Sequence, residues 1–292
     1  MKSLKFALIL ATLMSFGGNI YAQIGMSIKS DRKIYLQYEP IYIKVSLRNY
    51  SGKTLVFGES DKMKGDLSFI IETPAKGIAP KSNSTFNPIL GEIISTGGAT
   101  DVLVPINRIY SMGNTGEYQI TGVVAHGMLP ASYKSSPLSI TINSGKICWE
   151  KLVGIPDLFK KKEYSSPTRT YKVVSFYDGT GTALSLVVED KDRVYGVARL
   201  GYDIGGHLPE CEIDGLSRIH ILVPVSPSMF SYFCYDINCS LEKNEAYIKT
   251  NAPPTLVVDP KEGMVLVAGG KKAVKDVDYV EKDGIPVFKE NH

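Results

Sequence analysis

The residues able to do chemistry in this chain are few and scattered. Of the four histidines, His126, His207, His220 and His292, no two have zinc-ligand spacing. His126 falls in phase with Tyr118 along one alternating run and reads as a partly buried structural histidine. His220 lies between Ile219 and Ile221, on the strand face opposite the core. His207 follows Gly205-Gly206 in a loop, which makes it a candidate binding residue, because loops carry sites more often than strand faces do. Asp178-Gly-Thr-Gly181 occurs once, in the order of a hairpin turn, with no second copy to share a proton as an aspartic protease needs. There is no Gly-x-Ser-x-Gly elbow, and neither Asp190/Asp192 nor Asp276/Asp278 runs on into a calcium loop. The sequence therefore predicts no catalytic set, no metal and no cofactor.

The four cysteines permit two disulfides if the chain is oxidised. Cys234 and Cys239 are the disulfide candidates, since strands joined by the short loop between them would face each other; Cys148 and Cys211 are left over, with free buried thiols as the competing reading. Phe230 and Tyr232 alternate onto one face of a strand, and Phe233 and Tyr235 onto the other. If one row is exposed, Tyr232 or Tyr235 offers a stacking surface for a sugar or a partner; core packing is the plainer alternative.

These residues must be positioned by strands. Gly, Pro, Asn and Ser recur every few residues and long helical spacings are scarce, which predicts an all-β chain. Ile41, Ile43, Val45 and Leu47 fall on one face of a strand, with Tyr42, Lys44, Ser46 and Arg48 on the other. Similar rows recur at Leu67/Phe69/Ile71, Val102/Val104/Ile106 and Leu138/Ile140/Ile142. With strands near 33–38 and 117–126 the number reaches seven in about 120 residues, the count of an immunoglobulin-type sandwich. Asn114 to His126 resembles the tyrosine corner of that family, with Tyr118 as the corner residue and Ile120 where an antibody domain carries a core cysteine. The opening Asp31-Arg-Lys-Ile-Tyr-Leu-Gln-Tyr-Glu-Pro resembles a macroglobulin-type domain in its acidic start, Tyr35 and Glu39; Gln37-Tyr38 stand where that family has Pro-Gly, and no thioester motif occurs. The likeness implies an extracellular type of β-sandwich and, more remotely, a protease inhibitor.

Three further segments share one form, a strand ending in Asp, a short turn and a second strand. They carry Asp190, Asp214 and Asp259, where a carboxylate can accept turn N–H groups and pin the hairpin register. The pattern resembles hairpins of β-propeller blades in secreted sugar-binding proteins. The uneven spacing and the length of the segment point instead to a sandwich or open barrel. The expected organisation is two tandem antiparallel β domains: 1–22 a signal peptide, 23–146 the immunoglobulin-like sandwich, 147–168 a linker, and 169–292 the second domain.

Lys2 and Lys5, the apolar run Phe6 to Phe16 and the small residue Ala22 make a secretory signal. The apolar run is too short to span a bilayer, so no membrane span is expected. Without Lys2 and Lys5 the formal charge falls from +3 to +1. Charges of both signs are mixed, and the basic run Lys160-Lys161-Lys162 is followed by Glu163, which is no nucleic-acid footprint. The expectation is an exported periplasmic or extracellular protein, non-enzymatic, engaging a protein or glycan partner. A glycan-directed hydrolase with carboxylates from the second-domain turns is the alternative. Mass spectrometry of the exported protein is expected to find Gln23 as its first residue; Met1 in the exported form would refute the processing.

Overall fold

The computed structural model describes residues 23–82, 85–157, 166–205, 207–282 and 285–288. Residues 1–22, expected as a signal peptide, the 160–162 basic run and His292 lie outside them. Almost everything described is β-structure. The first half runs β1 (Ile24–Ser30), β2 (Ile34–Leu36), β3 (Tyr42–Asn49), β4 (Leu55–Val56), β5 (Gly65–Glu72), β6 (Ile93–Ile94), β7 (Ala99–Pro105), the single turn α1 (Ile106–Ile109), β8 (Gly116–His126), β9 (Tyr133–Lys134) and β10 (Leu138–Asn143). One sheet has the order β1-β3-β7; the other has β2-β10-β8-β5, with β9 on β8. Apart from the parallel β2–β10 pair, neighbours in these sheets are antiparallel.

The two sheets are a β-sandwich because each contributes one alternating row to the same core. Ile43, Val45 and Leu47 of β3 meet Leu67, Phe69 and Ile71 of β5, Tyr118, Ile120 and Val124 of β8, and Ile140 and Ile142 of β10. A one-residue slip of β3 would exchange those aliphatics for Lys44, Ser46 and Arg48, so burial fixes the register. Tyr118 is 1% exposed. Its hydroxyl donates to the Asn114 carbonyl at 2.8 Å and accepts from the Asn114 N–H at 3.2 Å, bracing the turn that starts β8.

The second half runs β11 (Lys146–Gly154), β12 (Thr168–Tyr177), β13 (Thr182–Glu189), β14 (Val194–Tyr202), β15 (Glu210–Ile213), β16 (Ile219–Ser226), β17 (Met229–Tyr235), β18 (Leu241–Ile248), β19 (Thr255–Val258), β20 (Val265–Ala268), β21 (Lys271–Lys272), β22 (Tyr279–Lys282) and β23 (Ile285–Phe288). The sheet β11-β12-β13-β14 is an antiparallel meander, and β15-β16-β17-β18 is a second one, extended by β21. Tyr171, Val173, Leu184, Leu186 and Leu200 of the first meander pack with Ile219, Ile221, Val223, Phe233 and Tyr235 of the second. None of these sheets closes into a barrel. The β19–β20 hairpin covers the outer face of the second meander through Leu256 and Val267, which pack on Leu222, Tyr232 and Cys234.

Of the stretch 147–168, expected as a linker, residues 147–154 are strand. β11 pairs with β12 along its length, so it belongs to the second half, and only Ser144-Gly145 separate β10 from β11. Gly145 has φ +71, and a Cβ there would lie 2.5 Å from Val174 Cγ1. The sequence offers only a half-exposed, Lys-rich pattern for β11, which reads as a loop because the alternation of an edge strand is weak. The halves also share apolar contact: Ile34 and Leu36 of β2 pack against Val174, Phe176, Ala183 and Val187. Tyr118→Phe keeps the ring and removes the hydroxyl, leaving the Asn114 groups to find water. It is expected to cost about 1 kcal/mol in urea denaturation; an unchanged midpoint would mean that the corner hydrogen bonds contribute nothing.

Candidate binding cleft

The turn aspartates behave as their local chemistry predicts. The Asp190 carboxylate accepts the N–H groups of Asp192 (2.8 Å) and Arg193 (2.9 Å). Asp214 accepts those of Leu216 and Arg218, both at 2.9 Å. Asp259 accepts that of Lys261 at 2.8 Å and, more weakly, that of Glu262. Two further turns use the same device: Asp178 accepts from Thr180 and Gly181, and Asp236 from Asn238 and Ser240. Each carboxylate is absorbed by its own turn and by a nearby cation or hydroxyl where it is buried. Asp190, Asp214 and Asp259 each serve a different turn, although the Asp214 and Asp259 turns touch through the Gly215 N–H and the Gly263 carbonyl at 2.8 Å.

Asp190 does more than close a turn. Its second oxygen accepts from Tyr195 Oη (2.7 Å) and from Arg169 Nη1 (3.3 Å). Both the Arg169 and Asp190 side chains are 0% exposed. Burial works against the Asp190 charge, yet the Tyr195 hydroxyl, the two turn N–H groups and the Arg169 charge hold its pKa below the ordinary carboxylate range. The Arg169 guanidinium also lies 3.6 Å from the Tyr195 ring centroid and donates from Nε to the Ile237 carbonyl at 3.1 Å. That last bond ties the Asp190 turn to the Asp236 turn of the facing sheet.

Above this buried support lies a cleft of about 820 Å³ between the halves, within the range of small-ligand sites. One wall is Tyr38, Pro40, Asn107 and Arg108; the other is the hairpin 189–197 with Asn238 and Cys239. Tyr38 is 51% exposed and has φ +67. Cys239 has φ +63. Two of the five described non-glycine residues with left-handed backbone therefore line one cleft. Such conformations cost of order 1 kcal/mol or more and collect at functional sites. Gly196 allows the Cys239 turn its close approach, since a Cβ there would fall 2.6 Å from Cys239 Cβ.

A second constellation is buried beneath the β19–β20 hairpin. His220 Nε2 faces Asp214 Oδ2 at 3.1 Å, and Nδ1 faces Tyr232 Oη at 2.7 Å. Because a carboxylate only accepts, Nε2 carries the proton, and the Tyr232 hydroxyl donates to Nδ1 of a neutral ring. Cys234 Sγ lies 3.8 Å from that same protonated Nε2. The ring therefore offers the thiol no base, and burial pushes the Cys234 pKa up to about 11. This Asp–His–Cys group is packing, with none of the geometry of a nucleophile and its base.

Several expected site residues are placed differently from the sequence reading. Tyr232 and Tyr235 are both buried, one on each face of β17, because the facing meander covers one face and the β19–β20 hairpin the other. Neither ring is available for stacking. His220 is likewise buried although it lies opposite the main core. His126 is buried, with Nε2 facing the Val56 carbonyl at 3.0 Å. His207 is exposed in the loop before β15 and lines neither this cleft nor the smaller one around Gly145 and Tyr177. Cys234 and Cys239 are unbridged, as are Cys148 and Cys211. Cys239 sits in the turn after β17 and packs toward the core between the meanders, whereas Cys234 points to the opposite face, so the sulfurs lie on different sides of the sheet.

Sequence reasoning overlooked Arg169, Tyr38 and Arg108. Arg169 alternates in phase with Tyr171 and Val173, a charged residue within an inward row, which is a legible signal. Tyr38 has left-handed backbone, a conformation that glycine adopts without strain and a tyrosine does not. Nothing in the sequence marks Arg108. Among the described residues no group of three or more His, Cys, Asp or Glu could hold a metal ion, and no helix is long and apolar enough to cross a membrane. No protein-family model, curated protein or solved structure matches this chain.

Two outcomes test the buried cluster. Burial lowers the His220 pKa against the pull of Asp214, so its neutral form stabilises the fold above the unfolded value of about 6.5, and that contribution is lost as pH falls below it. The melting temperature is expected to drop between about pH 7 and 5, and to do so less steeply in His220→Gln; parallel profiles would exclude His220 as the source. Asp214→Ala, which strands the buried His220 and leaves Arg218 only Glu242, is expected to cost about 2–4 kcal/mol, against about 1 kcal/mol for Asp259→Ala in its half-exposed turn. Equal losses would mean that only the turn bonds matter.

Proposed function

We propose that this is an exported, non-catalytic binding protein that holds a glycan or protein partner at the cleft between its halves. The observation that carries the reading is Tyr38: a large ring left half exposed over a cleft, on backbone that a tyrosine adopts only at a cost. Further support comes from the hairpin that forms the opposite wall, whose aspartate, tyrosine and arginine are fixed from behind. A rigid wall binds without an ordering penalty. We read the halves as two tandem domains, the first immunoglobulin-like on the strength of the Tyr118–Asn114 corner. Export, to a periplasm or the exterior, follows from the signal-like segment 1–22. The hydrolase alternative loses ground because Asp190, Asp214 and Asp259 each serve a separate turn.

Biolayer interferometry of residues 23–292 against immobilised envelope polysaccharide and envelope protein fractions tests this. At least one fraction is expected to retain the protein, with binding about tenfold weaker in the double variant Tyr38→Gly/Arg108→Ala. Retention by no fraction, or equal retention of both forms, overturns the cleft reading. Release of fragments from the bound material would make the protein an enzyme.

A further inference from the structure

Resting on the reading of the cleft as a binding site, we propose that its ligand is an acidic saccharide, a short sugar chain bearing carboxylate or sulfate groups. The first ground is charge. Three carboxylates stand on the cleft wall, and two have a cation outside it: Glu189 has Lys172, which it shares with Glu150, and Asp190 has the buried Arg169 at 3.3 Å. Asp192 is left, 4.0 Å from Lys191, against Arg108, Lys191 and Arg193. Even with Arg193 assigned to the Tyr195 ring, 4.4 Å away, two cations face one carboxylate. Arg108 is exposed and makes none of the described ion pairs. The cations come from both walls, Arg108 from one and Lys191 from the other, so an anion between them would be approached from two sides. An arginine on a fixed turn suits carboxylate and sulfate alike, since its fork donates two parallel bonds.

The second ground is the apolar surface on offer. Val194 and Val197 line the cleft only in part, since both also pack against the core behind the hairpin, and Tyr195 is committed to Asp190 and to the arginines. Tyr38 is the lining aromatic left exposed. A protein partner draws its affinity from side chains buried in apolar pockets, and the half-buried Pro40, Val194 and Val197 offer such side chains little apolar surface. A sugar ring needs less: one flat aromatic face against its C–H groups, and charged donors for its anionic substituents. Tyr38 is fixed to that end by its surroundings. Glu39 beside it is buried, accepting from the Leu36 N–H at 3.0 Å and from Arg32, while Gln37 donates to the Gly113 carbonyl at 2.5 Å, so the backbone on both sides is held.

Titration calorimetry of residues 23–292 tests the assignment with four probes: trigalacturonate, a heparin tetrasaccharide, maltotriose and hexaglutamate. At least one acidic saccharide is expected to bind, about threefold or more weaker at about 300 mM than at about 50 mM NaCl. The carboxylated and sulfated arms tell which anion is preferred. Arg108→Gln is expected to weaken binding about fivefold or more, and Tyr38→Gly likewise. Because glycine relieves the left-handed backbone, Tyr38→Gly should melt no lower than wild type, which separates lost stacking from lost folding. Maltotriose bound as well as the acidic probes, without salt dependence, overturns the acidic class and leaves the cleft reading standing. Binding of hexaglutamate alone reassigns the cleft to acidic peptides and overturns the proposal. Binding of no probe overturns it too, and retention on the envelope fractions then decides separately whether the cleft binds anything.

Discussion

A guanidinium with no exposure to water must be given back its hydrogen bonds and its counter-charge inside the protein, or the fold that buries it will not form. Arg169 is such a group, and its partners include the carboxylate of the β13–β14 turn, the Thr168 carbonyl, the carbonyl of Ile237 beyond β17, and the ring of Tyr195. These partners belong to two different sheets. Their geometry therefore fixes how the ends of the meanders meet, and with them the wall of the cleft. An apolar residue at 169 could fill the volume but would leave Asp190 as an uncompensated buried charge. The ion pair thus ties the cleft hairpin, already placed by the β12–β13–β14 ladder, to the turn of the facing sheet.

The same reasoning explains why a chain rich in turn aspartates has no acid–base pair among them. A carboxylate at the end of a strand finds backbone N–H groups within two to four residues, and accepting them is compatible with keeping its charge. Asp178, Asp190 and Asp214 are each held below the ordinary carboxylate range: burial opposes the charge, but hydrogen bonds and a neighbouring arginine outweigh it. A general acid needs the opposite, a carboxylate whose proton is retained near neutral pH. These residues are set for structure, and whatever the cleft does is done by the side chains around them.

Tyr118 was legible from spacing alone because its hydrogen bonds reach only four residues upstream, and the rows of β3, β5 and β10 were legible because alternation is local. The turn roles of Asp190, Asp214 and Asp259 were legible for the same reason. Asp236 follows the same rule, but its turn was read instead as the loop of a disulfide. β11 was missed because an edge strand with one covered face leaves little alternation to read. Tyr232 and Tyr235 presented equal claims to be core or surface, since period two says only that they point to opposite sides.

By itself, then, the sequence determined an all-β chain, the register of its inward rows and the chemistry of its turns, all of which depend on neighbours a few residues apart. Tertiary structure alone decided which faces are covered, because that depends on a second sheet or hairpin arriving from elsewhere in the chain. It buried Tyr232 under β19–β20, parted Cys234 from Cys239 across a sheet, and set Tyr38 and Arg108 opposite a hairpin that begins about 150 and about 80 residues later. No local pattern encodes such a meeting. It follows from the charge of Arg169 and the apolar faces of four sheets being satisfied at once.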